Sequence, residues 1–163
     1  MGSIVDSDYF CITPSQKECI GKEKQEIIDF YEKQVRIYDD IKYFSYWDIL
    51  YKKYDVLIDR FFTKNSLVVD IGCGTGLISK KLTSKKHSVF GIDISSDFLS
   101  LAKTKCNTCE NTFVKGIAEK IPLKDNMVND IACIETLDHV KNIEDAIHEI
   151  SRICKKTVCL FLI

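Results

Sequence analysis

Gly72, Gly74 and Gly76 stand at alternate positions, directly after the apolar run Val68-Val69-Asp70-Ile71 and directly before a helical pattern. Glycines in that place let the backbone turn tightly and come close to a ligand. The helix start that follows presents unpaired N–H groups. Asp93 closes the next apolar run, Gly91-Ile92-Asp93, twenty-one residues after Gly72. A carboxylate there accepts hydrogen bonds from both hydroxyls of a ribose. Together these residues could hold a nucleoside. The dinucleotide pattern puts its third glycine at the sixth position; here that position is Leu77, and the third glycine comes one residue early, which disfavours an NAD-dependent dehydrogenase. No Gly-Lys-Ser/Thr follows, so the loop is not a P-loop.

The elements that must carry this loop are legible from periodicity. SLVVDIG, HSVFGID, NTFVKG, NDIACIE and TVCLFLI read as strands, and GLISKKLTSKK, SSDFLSLAKTK and NIEDAIHEISRIC between them as helices. In the last, Ile143, Ala146, Ile147, Ile150 and Ile153 keep helical spacing. Alternating strands and helices predict an α/β fold, a Rossmann-like, doubly wound, mostly parallel sheet. Upstream, residues 22–62 read as helical, with a break near residues 43–45 and Ser45 as N-cap of the second helix. In that helix Trp47, Leu50, Tyr51, Tyr54, Leu57, Ile58 and Phe61 mark one face. The division expected is an N-terminal arm at 1–21, a helical lid at 22–62 and a nucleoside-binding core at 63–163.

The G-x-G-x-G form preceded by Asp70 resembles the class I S-adenosylmethionine-dependent methyltransferases. Gly116-Ile117-Ala118-Glu119-Lys120-Ile121-Pro122-Leu123 resembles that family's third-strand exit, and Ile134-Glu135-Thr136-Leu137-Asp138-His139-Val140 its fourth. Phe30-Tyr31-Glu32, Arg36 and Tyr38-Asp39 resemble its N-terminal tyrosine–aspartate signature, closest to the small-molecule branch with the quinone-ring methyltransferases. The resemblance implies S-adenosyl-L-methionine as cofactor and methyl transfer to a small-molecule acceptor by in-line displacement. Gly72, Cys73, Gly74 and Gly76 would lie along the methionine portion, Asp70 would orient its amino group, and Asp93 would hold the ribose. Ile94, Ala118 and Glu119 would bracket the adenine; Ile117 stands where the family often has an aspartate, which leaves a backbone contact from Ala118. Glu135 falls at the carboxyl end of the fourth strand, the edge where ligands bind in such sheets. His139 is expected to accept a proton from a phenol-like acceptor. Tyr31 and Tyr38 would belong to the lid.

Two other readings stay open: an RNA or protein acceptor, and a catalytically silent methyltransferase-like binding or scaffold subunit. Lys+Arg 23 against Asp+Glu 24 gives a net charge of −1, so no strong nucleic-acid signal is present. No apolar run is long enough to span a bilayer and no secretory signal is visible, so a cytoplasmic setting is expected. The eight cysteines then read as free thiols. Cys106 and Cys109 form a lone C-x-x-C without a second pair to complete a zinc site, so no metal is expected. The chain ends at Phe161-Leu162-Ile163, inside the fifth strand, and the usual C-terminal strands are expected to be absent. A homodimer contact or another partner would cover that apolar edge.

Overall fold

In the amphipathic stretch before the glycine loop, helix α1 runs Ser45–Phe61, so Ser45 is its first residue and the helix starts one residue before the start that Ser45 as N-cap would give. The computed structural model describes residues 45–161, together with residues 25, 26, 28–30, 33, 35 and 39. The N-terminal arm, Tyr31, Tyr38 and the side chains of Trp47, Leu50 and Tyr51 lie outside the described residues. Tyr54 and Ile58 bury against the sheet as the stripe requires. Phe61 does not: it is 53% exposed, under the Arg60 guanidinium 5.2 Å from its ring centroid. The helix stops at Phe61, so the helical period no longer sets directions, and Phe62 enters the core instead.

The sheet that follows holds β1 (Leu67–Ile71), β2 (Ser88–Asp93), β3 (Thr112–Lys115), β4 (Val128–Ile134) and β5 (Cys154–Phe161). Its order is β3-β2-β1-β4-β5, and every pairing is parallel. The order reverses between β1 and β4, which opens a crevice at the carboxyl ends of those two strands. Helices α2 (Leu77–Ser84), α3 (Ser96–Lys105) and α4 (Ile143–Ile153) make the crossovers. Alternation along β1 divides the core: Val68 packs with Tyr54, Ile58 and Leu82, whereas Val69 and Ile71 pack with Ala146, Ile150 and Ile153.

Two sequence expectations shift. The buried stripe of α4 is Ala146, Ile150 and Ile153; Ile143 and Ile147 flank it and are exposed. Strand β5 begins at Cys154, directly after α4 and three residues before the predicted TVCLFLI, because Cys154 pairs with Val128. The α4–β5 junction is held by Arg152, whose guanidinium donates to the carbonyls of Leu123 and Ile121 and to Asp125 and Glu149. Glu149 in turn accepts from the backbone N–H of Ile121 at 2.7 Å. These bonds fix the chain that leaves the third-strand exit.

At the opposite, amino-terminal edge of the sheet lies a buried polar network. Asp130 accepts from Ser66 Oγ at 2.8 Å and from the Thr63 N–H at 3.0 Å, and Ser66 Oγ meets His87 Nδ1 at 3.3 Å. Since the Ser66 proton goes to Asp130, His87 is the donor to Ser66, which sets its tautomer. Burial pulls the His87 pKa below its ordinary 6.5, partly offset by a hydrogen bond to the Ser66 backbone and by the Asp130 charge. The unfolded chain therefore takes up this proton first, and the neutral His87 costs stability as pH falls through about 6.5. We predict that acid sensitivity between pH 7 and 5, read by urea unfolding, is weaker in His87→Gln than in the wild type. Equal slopes would count against this assignment.

Candidate functional site

The glycine loop owes its path to the neighbours it must pass. Gly72 has φ +67, and its N–H and that of Cys73 both donate to the Ile92 carbonyl, at 2.8 and 3.0 Å. A Cβ at Gly72 would stand 2.2 Å from Thr136 Oγ1, so the loop and the fourth-strand exit meet with no room for a side chain. Gly76, at φ +83, caps α2, and a Cβ there would stand 2.9 Å from Ala102 Cα in α3. Gly74 differs: a Cβ on it would meet nothing nearer than Phe98 at 4.0 Å. The space over the middle of the loop is open.

Asp93 faces that space. Its carboxylate accepts from the Gly74 N–H and the Ser95 N–H, each at 2.8 Å, one on each oxygen. Burial raises its pKa, and these backbone donors oppose the rise. Asp93 thus bridges β2, the glycine loop and the start of α3, where Ser95 caps the helix by accepting from the Phe98 N–H at 3.3 Å. Lone pairs remain on both carboxylate oxygens for a ligand's hydroxyls.

One cleft gathers most of the residues singled out from the sequence. Gly72, Gly74, Asp93, Ile94, Ala118, Glu119, Glu135 and His139 all line it. Its third-strand wall is held by the Gly116 N–H donating to the Asp93 carbonyl at 3.0 Å. Glu135 turns the chain at the end of β4 with φ 54, a conformation unusual for a side-chain-bearing residue. The short 3₁₀ turn Leu137–His139 follows, with His139 Nε2 3.1 Å from Asp138 Oδ2.

Asp70, Cys73 and Gly76 are not among the cleft's lining residues. Asp70 is 2% exposed and accepts from Ser79 Oγ at 2.5 Å, tying β1 to α2 behind the loop. Burial raises its pKa to about 7, the Ser79 bond opposes the rise and the Asp93 charge adds to it. Burial also holds the Cys73 thiol well above its ordinary range, so Cys73 stays protonated and is no nucleophile.

Sequence reasoning missed several contributors. Ile28 reaches the cleft from the N-terminal stretch, and Phe98, Thr136 and Val140 line it as well. Their types carry no chemical signal, since apolar and small polar residues at such spacings read as core. Asp39, seen only as part of a signature, bonds to Thr75 Oγ1 in the glycine loop at 2.5 Å and to Lys105 at the end of α3.

Comparison with known proteins bears on the family and the fold. The family model described as "Methyltransferase domain" matches residues 69–162. The chain belongs to the methyltransferase domain family. The resemblance to class I S-adenosylmethionine-dependent methyltransferases holds for family and fold. A ubiquinone biosynthesis O-methyltransferase of Pelagibacter ubique is 33% identical over 100 residues, 61% of this chain and 42% of that protein. A demethylmenaquinone methyltransferase of Tropheryma whipplei is 28% identical over 93 residues, 57% of this chain and 39% of that one. Among solved structures, an S-adenosyl-L-methionine-dependent methyltransferase of Methanococcus maripaludis, assigned as putative, superposes with a TM-score of 0.68 at 24% identity, covering 78% of this chain and 63% of that one. The methyltransferase domain here thus spans about two fifths of the length of these two curated relatives.

Proposed function

We propose that this methyltransferase domain binds S-adenosyl-L-methionine in the cleft and transfers its methyl group to a small, quinone-type or phenolic acceptor. The observation that carries the reading is Asp93, a carboxylate held by two backbone N–H groups beside the open face of the glycine loop. That is the fit a nucleoside requires: a hydroxyl-binding acid and a backbone with no side chain in the way. The cofactor supplies a methyl group already activated by a sulfonium charge, so the chain's task is to bind, orient and exclude water.

Asp93 holds the ribose hydroxyls, and Ile94, Ala118 and Glu119 flank the base. Gly72 and Gly74 lie along the amino-acid portion, and Asp70 supports them from behind. Glu135 lies at the floor of the switch-point crevice. His139 takes the acceptor's proton, with Asp138 beside its ring. The names of the quinone-pathway relatives support the acceptor class. Among the described residues no helix is long and apolar enough to cross a membrane. The described cysteines 73, 106, 109 and 154 are free thiols, which supports a reducing, cytoplasmic setting.

Calorimetric titration with S-adenosylmethionine and S-adenosylhomocysteine tests the reading. We predict micromolar binding, about 8 kcal/mol. Asp93→Ala should weaken it about a hundredfold or more, since two hydrogen bonds to a charged group are lost. A folded wild-type protein that binds neither ligand would overturn the proposal.

A further inference from the structure

Among the described residues, Tyr54 is the largest side chain in the core with no exposed surface. It sits mid-way along α1 and packs with Ile58, Val68, Leu82 and Ala132. Phenylalanine would fill that space equally well. The hydroxyl is therefore the informative atom, because a buried hydroxyl is costly unless bonded. It donates to Glu135 Oε1 at 3.2 Å, across 81 residues of sequence. Its partner is distinctive in a second way. Four non-glycine residues among those described have positive φ: Asn65, Lys86, Asn126 and Glu135. Of these, Glu135 alone lines the cleft. Backbone strain of this kind persists only where the surroundings enforce it.

We infer that Tyr54 is a positioning residue for cofactor binding: from behind the sheet it fixes the Glu135 carboxylate at the cleft floor. This rests on the reading above that the cleft holds S-adenosylmethionine. A glutamate has three side-chain torsions, and an unanchored one must be ordered each time a ligand binds. Anchoring one oxygen to a hydroxyl that is itself locked in the core removes that cost in advance. The same bond ties α1, which precedes the sheet, to the floor of the site.

The test is a double-mutant cycle in S-adenosylhomocysteine affinity, measured by calorimetry well below the melting temperature, with circular dichroism confirming the fold. Tyr54→Phe keeps the ring and removes only the hydroxyl. The expected result is binding about five- to tenfold weaker, the cost of ordering one flexible side chain. In a Glu135→Ala background the same substitution should leave affinity unchanged, because nothing remains to be positioned. A purely structural Tyr54 would lower the melting temperature in both backgrounds without moving affinity. Wild-type affinity in Tyr54→Phe would overturn the inference, as would an equal loss in both backgrounds. A wild-type protein without affinity would instead overturn the cofactor reading, and this inference with it.

Discussion

Gly72→Ala is expected to cost the fold about 2–5 kcal/mol and to remove measurable cofactor affinity. Two penalties act together. At φ +67 an L side chain is strained, worth about 1–2 kcal/mol. The new Cβ would also stand 2.2 Å from Thr136 Oγ1 and 2.4 Å from Thr136 Cγ2, an overlap of the kind that costs about 1–3 kcal/mol. Thr136 cannot simply rotate away, because its hydroxyl lies 3.0 Å from both the Ile71 and the Ile134 carbonyls and is held there. The loop must therefore shift, and it carries the Gly74 N–H that anchors Asp93. Adding Thr136→Ala should recover only part of the overlap loss, because Cβ of residue 136 would still stand 2.8 Å from the new one, and should leave the strain part. Urea unfolding of both variants checks this. An alanine at 72 that leaves stability and S-adenosylhomocysteine binding intact would show that the close approach is not constraining.

The second large effect is a dependence of stability on pH that runs opposite to that of His87. Asp70 is held near 7 by burial, against 3.8 in the unfolded chain. Between those values the folded state keeps a proton that the unfolded state has released. Stability therefore falls as pH rises from about 4 to about 7, and above 7 the buried carboxylate is a constant cost. The shift corresponds to roughly 4 kcal/mol at most. Asp70→Asn keeps an acceptor for Ser79 Oγ and has no charge to bury. The variant should match the wild type near pH 4 and exceed its unfolding free energy by a few kcal/mol at pH 8. Parallel pH profiles for the two proteins would remove Asp70 as the source. The same experiment bears on the site, since the Asp93 charge contributes to the rise.

These two positions illustrate how legibility differed along the chain. The five strands and three crossover helices stood out because a buried parallel strand is an uninterrupted apolar run and a covering helix repeats its apolar face every three to four residues. Both patterns are local. The element edges were less legible: α4 runs straight into β5 because Cys154 is recruited by Val128, a partner twenty-six residues away. The exposed Phe61 and buried Phe62 likewise follow from where α1 stops.

The site shows the same division. Spacing alone marked Gly72, Gly74 and Asp93, since a tight turn after a strand and an acid at the end of the next are short-range requirements of the chemistry. Spacing equally marked Asp70, but only the packed structure separates the two acids, setting Asp93 on the cleft and Asp70 behind it with Ser79. Tyr54 read as one residue of an apolar stripe, which it is; that its hydroxyl reaches Glu135 depends on α1 crossing the sheet beside β4's exit. Glycine at 72 is legible as a turn residue, whereas the reason nothing larger fits is Thr136, sixty-four residues on. What the chain order settled were periodicities and turn chemistry, which act over a few residues. What only the tertiary structure settled were burial and long-range partners. A carboxylate's charge and a hydroxyl's target depend on what the fold brings beside them, and local residue order does not encode that.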